Sequence, residues 1–293
     1  MELLEGESMS FLLAVSILWA LSFGLIARVS GLGATFVAAA RTVLAVLVFL
    51  PFMRIRGLRG RVVLALAGVG ALQFGLMYVL YIESYRWLHP AEVALFTIFT
   101  PLLVTLFNGL LVRRLTWVFL ATAGLAVAGT GICLWTSLDR PGLFRGFLLM
   151  QASNACFAMG QILYRRIAPG TGKADHQLMG VLYVGAAVVA LAMALPAVRW
   201  DLVAAMTPGQ LDILLYLGIV ASGVGFFLFT AGARRTDVGT LAIFNNAKIP
   251  LAILASALVF HDQVDWVRLA AGGVVIAAAL GLNRWLVRLK AMA

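Results

Sequence analysis

Residues 96–124 read FTIFTPLLVTLFNGLLVRRLTWVFLATAG, and residues 245–273 read NNAKIPLAILASALVFHDQVDWVRLAAGG. At a constant offset of 149 residues Pro101 falls on Pro250, Trp117 on Trp266 and Gly124 on Gly273, and the match runs without a gap over 85–131 and 234–280. A unit met twice at fixed spacing marks an internal repeat. Each copy holds a proline-centred apolar run, a short polar step and a glycine-rich apolar run.

Such runs fill the chain. The 293 residues are 63% hydrophobic and 12% charged, far from the roughly half-apolar, quarter-charged balance of soluble domains. Apolar runs recur at 10–27, 33–53, 62–82, 92–112, 117–135, 146–164, 178–198, 211–231, 239–260 and 266–286. Each can cross a ~30 Å hydrocarbon core at 1.5 Å rise per residue. They must be helices, because lipid offers no partner to an unpaired backbone group and the runs lack the alternation of barrel strands. The expected fold is all-α integral membrane with ten transmembrane helices.

The remaining matches place the boundary between halves. Phe11-Leu12-Leu13 aligns with Phe147-Leu148-Leu149 at offset 136, so the halves are 1–137 and 144–293, five helices each. An odd number of crossings makes the second copy enter from the opposite side, which gives inverted repeats. The charge pattern agrees. With a cytoplasmic N-terminus, 14 of the 22 Lys and Arg fall on the cytoplasmic side and six on the other, while Arg41 and Lys248 stay inside helices. Both termini are expected in the cytoplasm of a cell inner (plasma) membrane protein.

The net charge of +10 is explained by orientation rather than by nucleic acid, so the expected partners are the lipid bilayer and a small-molecule substrate. The first ten residues carry Glu2, Glu5 and Glu7 and no basic residue, unlike a cleaved signal peptide. Cys133 and Cys156 lie in apolar runs without metal-ligand spacing, and no cofactor or metal is expected. No intramembrane carboxylate pair, His-Glu-x-x-His or Gly-x-Ser-x-Gly occurs, which argues against an embedded enzyme.

Polar and aromatic residues inside the runs are the candidates for a solute path. Phe74, Tyr78, Tyr81 and Tyr85 recur at helical spacing and put four rings on one face. Gln151, Asn154, Gln161 and Arg165 form a polar stripe, read equally well as a water-filled lumen or as interhelical glue. Phe96, Thr97 and Thr100 precede Pro101, and Phe244, Asn245 and Lys248 precede Pro250. Paired interruptions in equivalent helices point to a transport site, with the two prolines as hinges. Lys248 is ~14 Å deep by helical rise, has no deep carboxylate partner in the sequence, and is expected to meet an anionic cargo end beside Asn245. Arg41, ~12 Å from the outer end of its helix, is expected to play a structural part, holding carbonyls of broken helices. Gly124, Ala128 and Gly131, with Gly273, Ala277 and Gly281, are expected to form close-packed seams.

Trp19-Ala20-Leu21-Ser22-Phe23, Ala40-Arg41-Thr42-Val43-Leu44-Ala45 and the two proline-centred steps, Thr100-Pro101-Leu102 and Ile249-Pro250-Leu251, resemble the EamA-like branch of the drug/metabolite transporter superfamily. The resemblance covers nearly the whole chain. It departs where repeats of that family often carry a Gly-Glu step, since here the positions read Val112-Arg113-Arg114 and His261-Asp262-Gln263. It implies that the first, third, fourth, sixth, eighth and ninth runs surround a central cavity worked by alternating access. Trp19, Tyr78, Tyr81, Phe96, Thr100, Asn154, Gln161, Phe244, Asn245 and Lys248 are then the expected substrate contacts. Overall pattern and cavity character resemble the YddG-type exporters, which implies export of aromatic or other amino acids. The alternative is antiport of a nucleotide sugar or sugar phosphate, a dianion that should need two or more deep cations.

Overall fold

The computed structural model describes residues 2–113 and 141–236, with scattered positions of 121–128 and 266–285. Among the described residues every regular element is helical. Seven long helical segments result: α1 Phe11–Leu32, α2 Ala34–Phe52, α3 Gly60–Ser84, α4 Glu92–Val112, α5 Leu143–Ile167, α6 Asp175–Ala194 and α7 Pro208–Ala233. All but α5 combine membrane-crossing length with a mean hydropathy of 2.0 to 2.2. The 25 residues of α5 are also long enough, but Gln151, Ser153, Asn154 and Gln161 make it more polar. Leu47, Leu64, Val188 and Leu195 stand exposed on the outer faces, where lipid rather than water suits them.

The sequence and the structure agree on α2 to α7 within a turn at each end. α1 is longer than expected. It continues past residue 27 through a 3-10 turn at Ser30–Leu32, where the Ser30 hydroxyl donates to the Ala27 carbonyl at 2.9 Å. Gly33, at φ +99°, then reverses the chain into α2, a backbone state costly for a residue with a Cβ. α7 opens on a capping box, the Gln210 amide N–H donating to Thr207 Oγ1 at 3.3 Å and Thr207 N–H to Gln210 Oε1 at 3.0 Å. The run at 239–260 lies wholly, and that at 117–135 largely, outside the described residues, and the run at 266–286 is described at scattered positions.

Among the described residues two helices carry wide π turns, α3 at Ala71–Leu76 and α7 at Tyr216–Val224. A 149-residue offset carries 71–76 onto 220–225, so the two segments overlap in repeat register. The π turn of α3 packs on α6, and that of α7 packs on α2. α1 lies along the second half of α7, while α5 packs between α3 and α4.

Glycines govern the closest contacts, at positions other than those expected. A Cβ on Gly70 would come within 1.8 Å of the Leu182 carbonyl oxygen, and one on Gly185 within 1.9 Å of that of Ala67. Backbone meets backbone along α3 and α6. Gly160 on α5 receives the Gln73 side chain, and Gly218 on α7 receives Leu44. Among the described residues a Cβ at Gly124, Gly273 or Gly281 would meet nothing within 4 Å, which corrects the expectation of seams there.

Candidate functional site

Between the helices lies a partly open cavity lined from six of them. α1 gives it Trp19, Ser22, Phe23 and Ile26, α3 gives Met77, Tyr78 and Tyr81, and α4 gives Thr97 and Thr100. α5 adds Ser153, Asn154 and Phe157, α7 adds Phe226, and α2 adds one residue, Arg41. The walls are apolar and aromatic with a few polar groups, the usual composition of a site for an amphipathic small molecule.

Pro101 shapes the α4 wall. It has no N–H for the Thr97 carbonyl, and the Thr100 N–H bonds there instead, closing a 3-10 turn at Thr97–Phe99. The Phe96 carbonyl thereby loses its ordinary helical donor. Asn154 supplies a replacement at 2.8 Å and Gln151 a second at 3.3 Å. The amide stripe of α5 therefore joins helices at this level, although Asn154 also borders the cavity. Gln161, farther along, is buried and already bonded, and does not border the cavity.

Arg41 stands opposite. Its guanidinium lies 3.9 Å over the Tyr78 ring, a cation–π contact between two buried side chains. Its Nε donates to Ser222 Oγ at 3.1 Å. Ser222 in turn donates to the Leu217 carbonyl, five residues back across the π turn, at 2.6 Å. A hydroxyl has one proton, so Ser222 Oγ accepts from Tyr78, whose OH lies 2.7 Å away. Tyr183 of α6 donates to the Ser222 carbonyl. One residue of α7 thus ties α2, α3 and α6 together.

An aromatic cluster forms another part of the cavity wall. Trp19 sits 4.5 Å from the Phe226 ring and 5.2 Å from that of Phe229, and Phe157 closes the cluster at 5.7 and 5.5 Å from the same two rings. The Trp19 indole is fixed by a 2.8 Å bond to the Ala221 carbonyl. The Tyr81 and Tyr85 hydroxyls lie 3.2 Å apart, and Tyr85 donates to the Phe23 carbonyl at 3.3 Å.

Of the residues singled out in the sequence, Trp19, Tyr78, Tyr81, Thr97, Thr100 and Asn154 come together on this cavity. Phe96 does not; its ring packs on Phe147 at 5.0 Å and its contribution is the freed carbonyl. Phe74 leaves the four-ring face as well, stacking on Tyr183 at 4.9 Å in the core, because the π turn adds a residue and rotates that face. Arg41, assigned to structure alone, is part of the wall. Phe244, Asn245, Lys248 and Pro250 lie outside the described residues. Ser22, Ser153, Phe157, Phe226 and the Ser222 anchor were not among the expected contacts. Ser22 and Phe23 sit in the Trp-Ala-Leu-Ser-Phe step and were within reach, but nothing local marks Ser222.

Comparison with known proteins gives this geometry a context. The profile of the EamA-like transporter family matches residues 7–135 and again 144–284. A probable biotin transporter of Pseudomonas aeruginosa is 40% identical over 285 residues, covering 94% of this chain and 97% of that one. Biotin transporters of Salmonella typhimurium and Escherichia coli K12 are 37% and 36% identical over 284 residues, covering 94% of this chain and 93% of theirs. A crystal structure at 20% identity superposes with a TM-score of 0.75 over 96% of this chain and 98% of the other, a likeness of fold.

Proposed function

Since the chain belongs to the EamA-like transporter family, and is a multi-pass membrane protein that moves a small solute, we propose that its cargo is biotin or a closely similar vitamin-sized carboxylic acid. The observation that carries this reading is full-length similarity, at 36 to 40% identity, to relatives named biotin transporters. The cavity chemistry suits it. Biotin joins a compact bicyclic ring system with a ureido group to an aliphatic chain ending in a carboxylate. The ring system fits against Trp19, Phe157 and Phe226, and ureido donors and acceptors find Ser22, Thr97, Thr100 and Ser153 within the same wall.

The aromatic amino-acid cargo expected from the sequence has no counterpart in the names of these relatives. It draws on the same aromatic lining, and phenylalanine is therefore the comparison cargo to test. A nucleotide sugar fits less well, since Arg41 is the one cationic residue on the described cavity wall and a dianion asks for more.

The transport cycle is read as alternating access by two inverted halves, 1–137 and 144–293, in the inner membrane with both termini cytoplasmic. Two separate family matches, one to each half, and π turns in corresponding helices support that reading. Phe244, Asn245 and Lys248 enter the site, with Pro250 as second hinge, by their repeat relation to the Pro101 step. The test is counterflow in proteoliposomes. Preloaded unlabelled biotin should drive accumulation of labelled biotin, and phenylalanine should not compete; absence of biotin exchange in folded protein overturns the assignment.

A further inference from the structure

We propose that Arg41 is the anchor for the carboxylate of the cargo, an inference that rests on the biotin-type reading and deepens it. Arg41 is 2% exposed, on the wall of the cavity, and seven residues beyond Ala34, or ~10 Å along its helix. Its Nε is used by Ser222 and its π face by Tyr78. Its Nη1 has no hydrogen-bond partner. No carboxylate pairs with it either, the ion pairs among the described residues being Arg86 with Glu83 and Arg199 with Asp201.

A guanidinium stays charged at any physiological pH, so it cannot escape burial by losing its proton. A charge held inside a membrane protein is paired or sits in a functional path, and the protein has paired only part of this one. The contacts that exist do the work of orientation. Ser222 and Tyr78 hold the guanidinium plane through Nε and the π face, and an anion entering the cavity supplies what Nη1 lacks. A carboxylate is the matching shape, because a planar fork of N–H groups meets two coplanar oxygens. Arg41 thereby takes the role that sequence spacing gives to Lys248, and the resulting rule of selection is that cargo must carry one anionic end and an apolar body.

Two pairs of probes test this in purified protein: biotin against biotin amide, and phenylalanine against phenethylamine, each measured for binding and for uptake into proteoliposomes. The wild-type protein should prefer the acid of the transported pair by roughly 30-fold or more. Arg41→Gln should bring acid and neutral or amine partner to similar affinity, and Arg41→Lys should restore part of the preference. Thermal melting of each variant separates loss of fold from loss of recognition, and the wild-type ratio is informative without any variant. A wild-type protein that carries biotin and biotin amide equally, or an acid preference that survives Arg41→Gln, overturns the role of Arg41 while leaving biotin transport standing. Transport of phenylalanine but not biotin overturns the cargo assignment, with the Arg41 comparison then read on the phenylalanine pair. Transport of neither acid overturns both.

Discussion

The Asn154 amide reaches across from α5 to the Phe96 carbonyl at 2.8 Å, a carbonyl that is available because Pro101 shifts the Thr100 N–H onto Thr97. The proline and the asparagine are 53 residues apart and form one device. Asn154→Ala should lower stability by roughly 0.6 to 1.7 kcal/mol, the span of interhelical hydrogen bonds in membrane proteins. Pro101→Ala lets an ordinary helical bond return to Phe96, so Asn154→Ala should cost less in that background. Melting curves of the two single variants and the double variant give the coupling, and strict additivity would separate the two residues.

Tyr78 has its hydroxyl committed to Ser222 and its ring beneath Arg41. Removing the hydroxyl by Tyr78→Phe should leave the ring contact and weaken uptake of every carboxylate cargo by about 2- to 10-fold, the worth of one net hydrogen bond. Initial-rate uptake of labelled biotin and of labelled phenylalanine checks it. Uptake of both cargoes unchanged from wild type would mean that the hydroxyl takes no part in holding Arg41.

Gly68 and Gly70 are neighbours on α3 with opposite surroundings. A Cβ on Gly68 meets nothing within 4 Å, whereas one on Gly70 would strike the Leu182 backbone at 1.8 Å. Gly68→Ala should be neutral or stabilising by up to about 1 kcal/mol. Gly70→Ala should cost more than about 3 kcal/mol, beyond ordinary overpacking, because the obstacle is main chain rather than a side chain that can turn away. Fluorescence-detected size-exclusion profiles and melting temperatures of the two variants should diverge accordingly.

The sidedness of the charges predicts labelling. In a background without Cys133 and Cys156, single cysteines at Arg59 and Thr171 should react with an impermeant thiol reagent from the cytoplasmic face, and one at Asp139 from the opposite face. Labelling of all three from one side would exclude the inverted arrangement.

Much of the architecture can be read from patterns that are local in the chain. Runs of apolar residues mark the helices, and Pro101 marks the break in α4. The polar stripe of α5 is also visible, with its purpose left between lumen and glue; Asn154 turns out to face both. What escapes is long-range or depends on helical phase. Arg41 and Ser222 are 181 residues apart, and no spacing rule joins them. The π turn at Ala71–Leu76 carries no signature in composition, yet it decides that Phe74 packs in the core while Tyr78 borders the cavity. Glycines of α3 and α6 look no different from Gly124 or Gly273 until their neighbours are known.

Ser222 receives Arg41 from α2 and Tyr78 from α3, and its carbonyl receives Tyr183 from α6. Four helices, α2 and α3 of the first half with α6 and α7 of the second, therefore meet at one serine beside the cavity. Any movement of one half against the other must either part this joint or turn about it. Distance probes placed from α2 to α7 across Ser222 tell the two apart, because a parted joint changes their separation and a pivot keeps it.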